Sequence, residues 1–385
     1  MAHVLIGFAE ALPAPEVVFS LRAAGHQVSA FARTENLPLA RLPLTGLHRL
    51  PAPETNAPAA VAAIQKLLDK VDAPDLILPL DDTALWITTQ LSEGLISRIA
   101  GATGFATTAA LDKAVQTRAA QAAGLAVPDT VILPDDNAPS LPVPGIARPS
   151  RAVDCQNGML IKADVCYLTA DTKPDDLDPA IPYLAQPLIR GRGEGIFGFA
   201  TASEISAWSA HRRLRMVNPH GSGASACIST PVDPALKGPI TEFLEQLNWR
   251  GPFMIELLRD DDGTPWFVEL NGRMWGSMAL ARRQGLEYPA WSVAAALDPG
   301  FVPTPPPPPE TPVSVRHFGR DLLHLAFVLR GPKGAFHRRT WPRLLDSIGP
   351  VMKPGKANGF YNYDPAHPGY FLRDALWTVR RTLFR

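Results

Sequence analysis

Cysteine is scarce in this sequence. The three present, Cys155, Cys166 and Cys227, are odd in number and lack metal-type spacing. They exclude a disulfide framework and fit a reducing compartment, so a cytoplasmic location is expected. Net charge is also missing: 37 Lys and Arg balance 37 Asp and Glu, and no global field argues for a nucleic-acid partner. No apolar run approaches the roughly 18 residues of a membrane span. The first residues lack the basic stretch and long apolar core of a secretory signal, so none is expected. No Gly-x-Gly-x-x-Gly follows the first apolar run, where Gly7 stands alone, and a nicotinamide dinucleotide site is unsupported. No Ser-His-Asp or Cys-His arrangement emerges either; His211 and Cys227 have no partner signal.

What the chain does have is length and apolar content. With 385 residues, 46% of them hydrophobic, it can bury more than one core, and two or three domains are expected. Residues 3–8 (HVLIGF) read as a buried strand, 14–24 as a helix stopped by Gly25, and 27–32 as a second strand. This is a β-α-β unit with the continuous apolar pattern of a parallel sheet. A helix over 59–71 and a strand over 76–80 (LILPL) continue it. Asp81 and Asp82 then stand at a strand's carboxyl end, where α/β folds place ligands. A plain helix N-cap is the competing reading of these two.

Residues 253–277 (FMIELLRDDDGTPWFVELNGRMWGS) read as a β-hairpin turning at Asp262-Gly263. In an antiparallel pair, opposed positions have a constant sum, and a turn centred between 262 and 263 sets Glu256 opposite Glu269. Their Cβ atoms would lie roughly 4.5–5.5 Å apart, and like charges there are unfavourable without a cation between them. Asn271 shares the face of Glu269 by alternation. Two carboxylates and an amide oxygen suit Mg²⁺, which takes a few protein oxygens together with substrate phosphates. The competing reading is a hairpin whose glutamates point into water. Against it stand Arg273, the cation that follows at once, and the apolar flanks Met254, Ile255, Leu257, Phe267, Val268 and Leu270.

This segment resembles the C-terminal core of ATP-grasp enzymes, in which an acidic residue on one strand and Glu-x-Asn on the next bind Mg²⁺ bridging the ATP phosphates. The resemblance implies Glu256, Glu269 and Asn271 as metal ligands, for Mg²⁺ or alternatively Mn²⁺. It implies Arg273, in Asn-Gly-Arg, as the arginine that contacts the acyl phosphate or substrate carboxylate. Residues 285–289 (GLEYP) are similar to the end of that segment. The first 108 residues resemble the Rossmann-like domain that precedes the ATP-grasp lobes, and 111–128 is similar to the Asp-Lys…Gly-x-x-Pro entry to the small lobe.

The nucleotide half-sites follow in order. Arg148, in Ala-Arg-Pro-Ser, stands where most of the family has lysine and resembles the carbamoyl-phosphate-synthetase form; a guanidinium can hold α- and β-phosphate oxygens with paired hydrogen bonds. The usual glycine-rich flap is replaced by 151–158 (RAVDCQNG), with Gly158 its one glycine. Lys162 is a second candidate cation, or else a solvated strand lysine. Residues 183–189 (YLAQPLI) resemble the adenine-reading hinge. There Pro187 can offer only its carbonyl, Leu188 must supply the N–H donor, and Gln186 stands where Glu is common. Glu194, among Gly191, Gly193 and Gly195, is a candidate for the ribose or for hinge geometry, although a hairpin loop is the plainer reading of those glycines. Arg213 and Arg215, in 211–215 (HRRLR), read either as a solvated basic edge or as groups that hold a phosphate or the acyl substrate under the 221–225 Gly/Ser loop.

The expected architecture is therefore α/β: a Rossmann-like domain over 1–108, a small ATP-grasp lobe over 109–190, a large lobe over 191–300, a stiff proline-rich linker over 301–310 and a basic helical extension over 311–385. The extension carries 13 Lys and Arg against 4 Asp and Glu, the rest of the chain 24 against 33. Its final helix, 369–384, mixes Phe371, Leu372, Leu376, Trp377, Leu383 and Phe384 with Arg373, Arg380, Arg381 and Arg385. Such a helix can lie on an anionic membrane surface, but packing onto the acidic body of the same chain, or of a sister subunit in a homodimer, is the favoured reading. The function the resemblance implies is an ATP- and Mg²⁺-dependent carboxylate–amine ligase. It would join a small carboxylic acid to an amine, an amino acid or peptide, through an acyl phosphate. Bicarbonate or carbamoyl chemistry and a non-catalytic nucleotide-binding regulator are the alternatives.

Overall fold

The computed structural model describes residues 1–385 except 135–139, 174–175, 334–337, 339, 354–358 and 384–385. Phe384 and Arg385, read above as part of the last helix, lie outside the described residues.

The first sheet is parallel, with β1 (His3–Gly7), β2 (Gln27–Ala32), β3 (Gly46–Arg49) and β4 (Leu76–Pro79) in the order β3-β2-β1-β4. Helices cover both of its faces, which is why the strands are apolar throughout. Val4 and Ile6 bury into the core shared with α1 (Ala14–Ala23), and Leu5 into a second core with Ile64 of α2 (Pro53–Leu68). The expected start of α2 at 59 marks a real break. Asn56 is non-helical (φ −158°, ψ 88°), and its side chain accepts the Ala59 N–H at 2.9 Å, capping a second segment. The chain continues through α3 (Asp82–Thr88), α4 (Glu93–Ile96), α5 (Gly104–Leu111) and α6 (Lys113–Ala122).

A second, antiparallel sheet follows. It uses β5 (Val131–Leu133), β6 (Gly145–Pro149), β9 (Cys166–Leu168) and β10 (Tyr183–Pro187) in the order β5-β10-β6-β9. Between its strands a separate hairpin pairs β7 (Asp154–Gln156) with β8 (Met159–Ile161). Asn157 (φ 51°) and Gly158 (φ 75°) make its two-residue turn, the left-handed pair that a type I′ hairpin needs. The segment expected as a glycine-poor flap is thus an Asn-Gly hairpin. It is fastened to the first domain, because Ala57 N–H, freed by the break in α2, donates to Gly158 O at 2.8 Å.

The third sheet has β11 (Arg192–Ala200), β12 (Ile205–Met216), β13 (Ala224–Thr230), β14 (Gly251–Arg259), β15 (Pro265–Asn271) and β16 (Ser314–Arg316) in the order β15-β14-β11-β12-β13-β16. One face buries Ile255, Leu257 and Phe267 with Phe243 of α7 (Pro234–Gln246). The other buries Phe197 and Met254 with Met278 of α8 (Met278–Arg282), Tyr288 of α9 (Tyr288–Leu297) and Val17 of α1. Among the described residues three helices follow: α10 (Phe318–Arg330), α11 (Leu344–Met352) and α12 (Tyr370–Leu383). No helix among the described residues is long and apolar enough to cross a membrane.

Two expectations need correction. The glycines at 193 and 195 are not a turn but the first half of β11. They are needed because side chains from β12 lie across them: a Cβ at 193 would meet Arg213 Cδ at 2.6 Å, and one at 195 would meet His211 Nε2 at 2.9 Å. Nor is the extension purely helical. Its first strand, β16, pairs with β13 and completes the third sheet.

Candidate active site

Glu256 and Glu269 are directly opposite one another on β14 and β15. Two features absent from the simple hairpin picture produce that register. Asp260 N–H donates to Thr264 O (3.1 Å), so the loop is the three residues 261–263, with Gly263 at φ 89°. Val268 is then an extra residue, because Glu256 faces Glu269 while Leu257 faces Phe267. The bulge returns the pairing to the register expected for a two-residue turn. It also re-aims a carbonyl, since Arg148 Nη1 donates to Val268 O at 3.2 Å.

Each carboxylate faces cations. Arg213 Nη2 donates to Glu256 Oε1, its stem crossing Gly193, and Lys113 Nζ stands 3.5 Å from Glu269 Oε2. Burial raises the Glu256 carboxyl above its ordinary value, Glu269 adds to the rise, and Arg213 and Arg148 oppose it. Arg148 is 9% exposed, and its Nε has no hydrogen-bond partner among the described residues. Burial draws the guanidinium down from its ordinary value against the pull of Glu269 and Glu256. Asn271, opposite Met254, donates Nδ2 to Met254 Sδ at 3.0 Å, which commits its nitrogen and leaves the amide oxygen for a cation.

The start of α3, after β4 of the first sheet, closes the cluster from the other side. Asp81 caps α3 through the Ala84 N–H (2.7 Å) and lies 3.8 Å from Arg33, whereas Asp82 accepts from Arg273 Nε at 3.1 Å. Burial pushes Asp82 up, but Arg273, Lys162 and Lys113 together hold it below its ordinary value. Burial raises Asp81 despite Lys162 and Arg33. Lys162 is exposed and acts on both aspartates and on Glu54 without a direct ion pair among the described residues.

Sequence reasoning missed the group that holds the metal-type strand in place. Gln116 of α6 is 1% exposed; its Oε1 accepts the Leu270 N–H at 2.8 Å, and its Nε2 donates to Leu270 O at 3.2 Å and to Ala109 O and Ala110 O at 3.0 and 2.9 Å. It therefore behaves as one more strand residue against the sheet edge, fixing the backbone between Glu269 and Asn271. Asp112 ties the same helix to the Arg148 strand by capping α6 and accepting from Ser150 Oγ at 2.8 Å.

Five sequence-based site residues fall elsewhere. Arg215 donates through Nε and Nη2 to Asp321 of α10 at 2.7–2.9 Å. Leu214 is bulged out, so Arg215 opposes Ala226 and takes the sheet face opposite to that of Arg213, which opposes Cys227. The Leu188 N–H, expected as the hinge donor, is spent on Pro144 O at 3.0 Å, and Pro187 pairs with Gly145 at the end of β10. Gln186 is buried and donates to Thr130 Oγ1 at 2.8 Å, bracing β10 against the residue before β5. Glu194 accepts from Arg259 Nε at 3.0 and 3.1 Å, an ion pair across β11 and β14.

Two carboxylates and an amide oxygen form a hard donor set. Among the described residues no group of three or more His, Cys, Asp or Glu side chains is placed to hold a metal. A divalent ion here would use Asn271 and oxygens brought by the substrate. That arrangement fits Mg²⁺, which keeps few protein ligands when phosphates supply the rest.

No protein-family model matches the sequence, and no curated protein matches it. Solved structures do. An L-amino acid ligase from Bacillus licheniformis superposes with a TM-score of 0.60 at 18% identity, over 77% of this chain and 74% of its own. An N5-carboxyaminoimidazole ribonucleotide synthetase in its ADP complex gives 0.63 at 12% identity, over 91% and 95%. The chain has the ATP-grasp fold. A third ATP-grasp structure, the biotin carboxylase domain of 2-oxoglutarate carboxylase from Hydrogenobacter thermophilus, gives 0.59 at 13% identity, over 77% and 70%. At these identities the likeness is one of fold.

Proposed function

We propose that the protein is an ATP- and Mg²⁺-dependent carboxylate–amine ligase that forms an amide or peptide bond and releases ADP and phosphate. The observation that carries this reading is the facing pair Glu256 and Glu269, with Asn271 on the next position of the same face and arginines converging from three elements. The similar structures support it: one is an amino acid ligase, another was solved with ADP, and the third with MgADP and bicarbonate.

In this reading Glu256, Glu269 and Asn271 hold Mg²⁺, which when bound neutralises the phosphate oxygens during transfer. Arg148, fixed to the Val268 carbonyl, lies against the α- and β-phosphates, and Lys162 approaches from the β7–β8 hairpin. The substrate carboxylate attacks the γ-phosphorus and ADP leaves, giving an acyl phosphate. The amine nitrogen then attacks the acyl carbon and phosphate departs. Arg273 stabilises the tetrahedral oxyanion. Asp82 orients it through Nε, the one guanidinium atom engaged among the described residues. Arg213, now on Glu256, is positioned to exchange that partner for the transferring phosphoryl group. Bicarbonate as the activated acid is the second reading, favoured by the bicarbonate complex among the similar structures.

The test is phosphate release from ATP·Mg²⁺ across a panel of carboxylic acids, bicarbonate included, each with and without amines. Wild type should respond to one acid, and Glu269→Gln should not. Nucleotide binding without release under every condition would contradict the ligase reading.

A further inference from the structure

The C-terminal helices leave apolar surface uncovered. At about 100° per residue, Leu372, Leu376 and Leu383 of α12 fall within about 40° of one another, and they are 48%, 64% and 51% exposed. Of the residues that bury α12, Tyr370 and Asp374 lie on its far side and Ala375 borders the stripe. The packing that the sequence favoured therefore uses one face and leaves a second apolar stripe in solvent. Helix α11 repeats the pattern: Leu345, Ile348 and Met352 are 83%, 38% and 67% exposed, within about 60° of one another and away from the buried Ser347 and Val351.

Arginines border the stripe. Arg373 and Arg380 flank it on one side and, with Arg41 of the short helix Pro38–Arg41, line an open groove of about 1050 Å³ that Leu376 and Trp377 also enter. None of these three arginines makes an ion pair or hydrogen bond among the described residues. Unpaired guanidinium groups beside exposed leucines suit a surface that carries phosphates over an apolar layer. A second copy of the chain fits less well, because a two-fold contact centred on the stripe would bring Arg373 and Arg380 of both copies together, with Glu35 the one acidic residue among the described residues lining the groove to offset them.

We propose that α12, with the groove beside it, forms a docking surface for an anionic lipid bilayer. The arginines of the groove hold lipid phosphates, and the leucine stripe enters the acyl boundary. The attachment is peripheral and independent of the ligase chemistry. It serves to hold the active site near a membrane.

The test is co-sedimentation of the full chain with vesicles of phosphatidylglycerol and phosphatidylcholine in equal parts, against phosphatidylcholine alone. Binding should be confined to the anionic vesicles and should weaken as salt is added. Arg373→Gln with Arg380→Gln should weaken it roughly 30-fold. Leu372→Asp with Leu376→Asp should abolish it, while the melting temperature of each variant stays that of wild type. Three outcomes would overturn the proposal: no binding of wild type to anionic vesicles, equal binding to both compositions, or a solution dimer that Leu376→Asp dissociates.

Discussion

Gln116→Leu offers the sharpest look at how the metal-type strand is held. The substitution keeps the bulk of the side chain and removes both of its polar ends. Leu270 N–H and C=O, now bonded at 2.8 and 3.2 Å, and Ala110 O, bonded at 2.9 Å, would be left without partners in a buried setting. Each unpaired group costs about 1–3 kcal/mol, so about 3–9 kcal/mol of folding stability should be lost in urea titration. The backbone between Glu269 and Asn271 loses its clamp, and the affinity for ATP·Mg²⁺ measured by calorimetry should fall at temperatures where the variant remains folded. A loss below about 1 kcal/mol with nucleotide affinity unchanged would refute the reasoning, because Gln116 would then be an ordinary core residue.

Gly195→Ala should cost about 1–3 kcal/mol by overpacking, since its Cβ would sit 2.9 Å from His211 Nε2 and 3.0 Å from Phe197 Cζ; thermal unfolding would show this. Asp321→Asn removes the buried partner of Arg215, which should destabilise the fold by about 3–5 kcal/mol. Phosphate release per folded molecule should be unaffected, and a selective loss of turnover would return Arg215 to the site. Burial, with Arg213 nearby, pushes His211 from 6.5 down to about 3. The unfolded chain therefore binds a proton that the folded one refuses as pH falls below 6.5, and stability declines through that window. His211→Gln should remove about 2 kcal/mol of the decline between pH 6.5 and 5, visible as a flatter profile of unfolding free energy against pH.

Much of the fold is written in local pattern. The parallel β-α-β opening is legible because both faces of its strands are buried and the strands are apolar throughout. The opposition of Glu256 and Glu269 is legible too, but a longer loop and the bulge at Val268 offset each other to produce it, and only coordinates reveal that. The same kind of irregularity at Leu214 hides the fate of Arg215, since a single bulged residue moves everything after it to the other face. Gly193 and Gly195 look like a turn in sequence because their reason lies in the neighbouring strand, in the stems of Arg213 and His211. Gln116 and Leu270 are 154 positions apart, and no local signal joins them. The Leu188 N–H is spent on a carbonyl that the pairing of β6 with β10 brings to it.

The central claim is that a substrate carboxylate is activated by phosphoryl transfer over Glu256 and Glu269. Its most direct test uses the stimulating acid labelled with heavy oxygen in the carboxylate. Wild type should transfer one labelled oxygen from each acid molecule into the phosphate released from ATP, and Glu269→Gln should release none. Turnover that yields unlabelled phosphate would show that no acyl phosphate forms and would contradict the account.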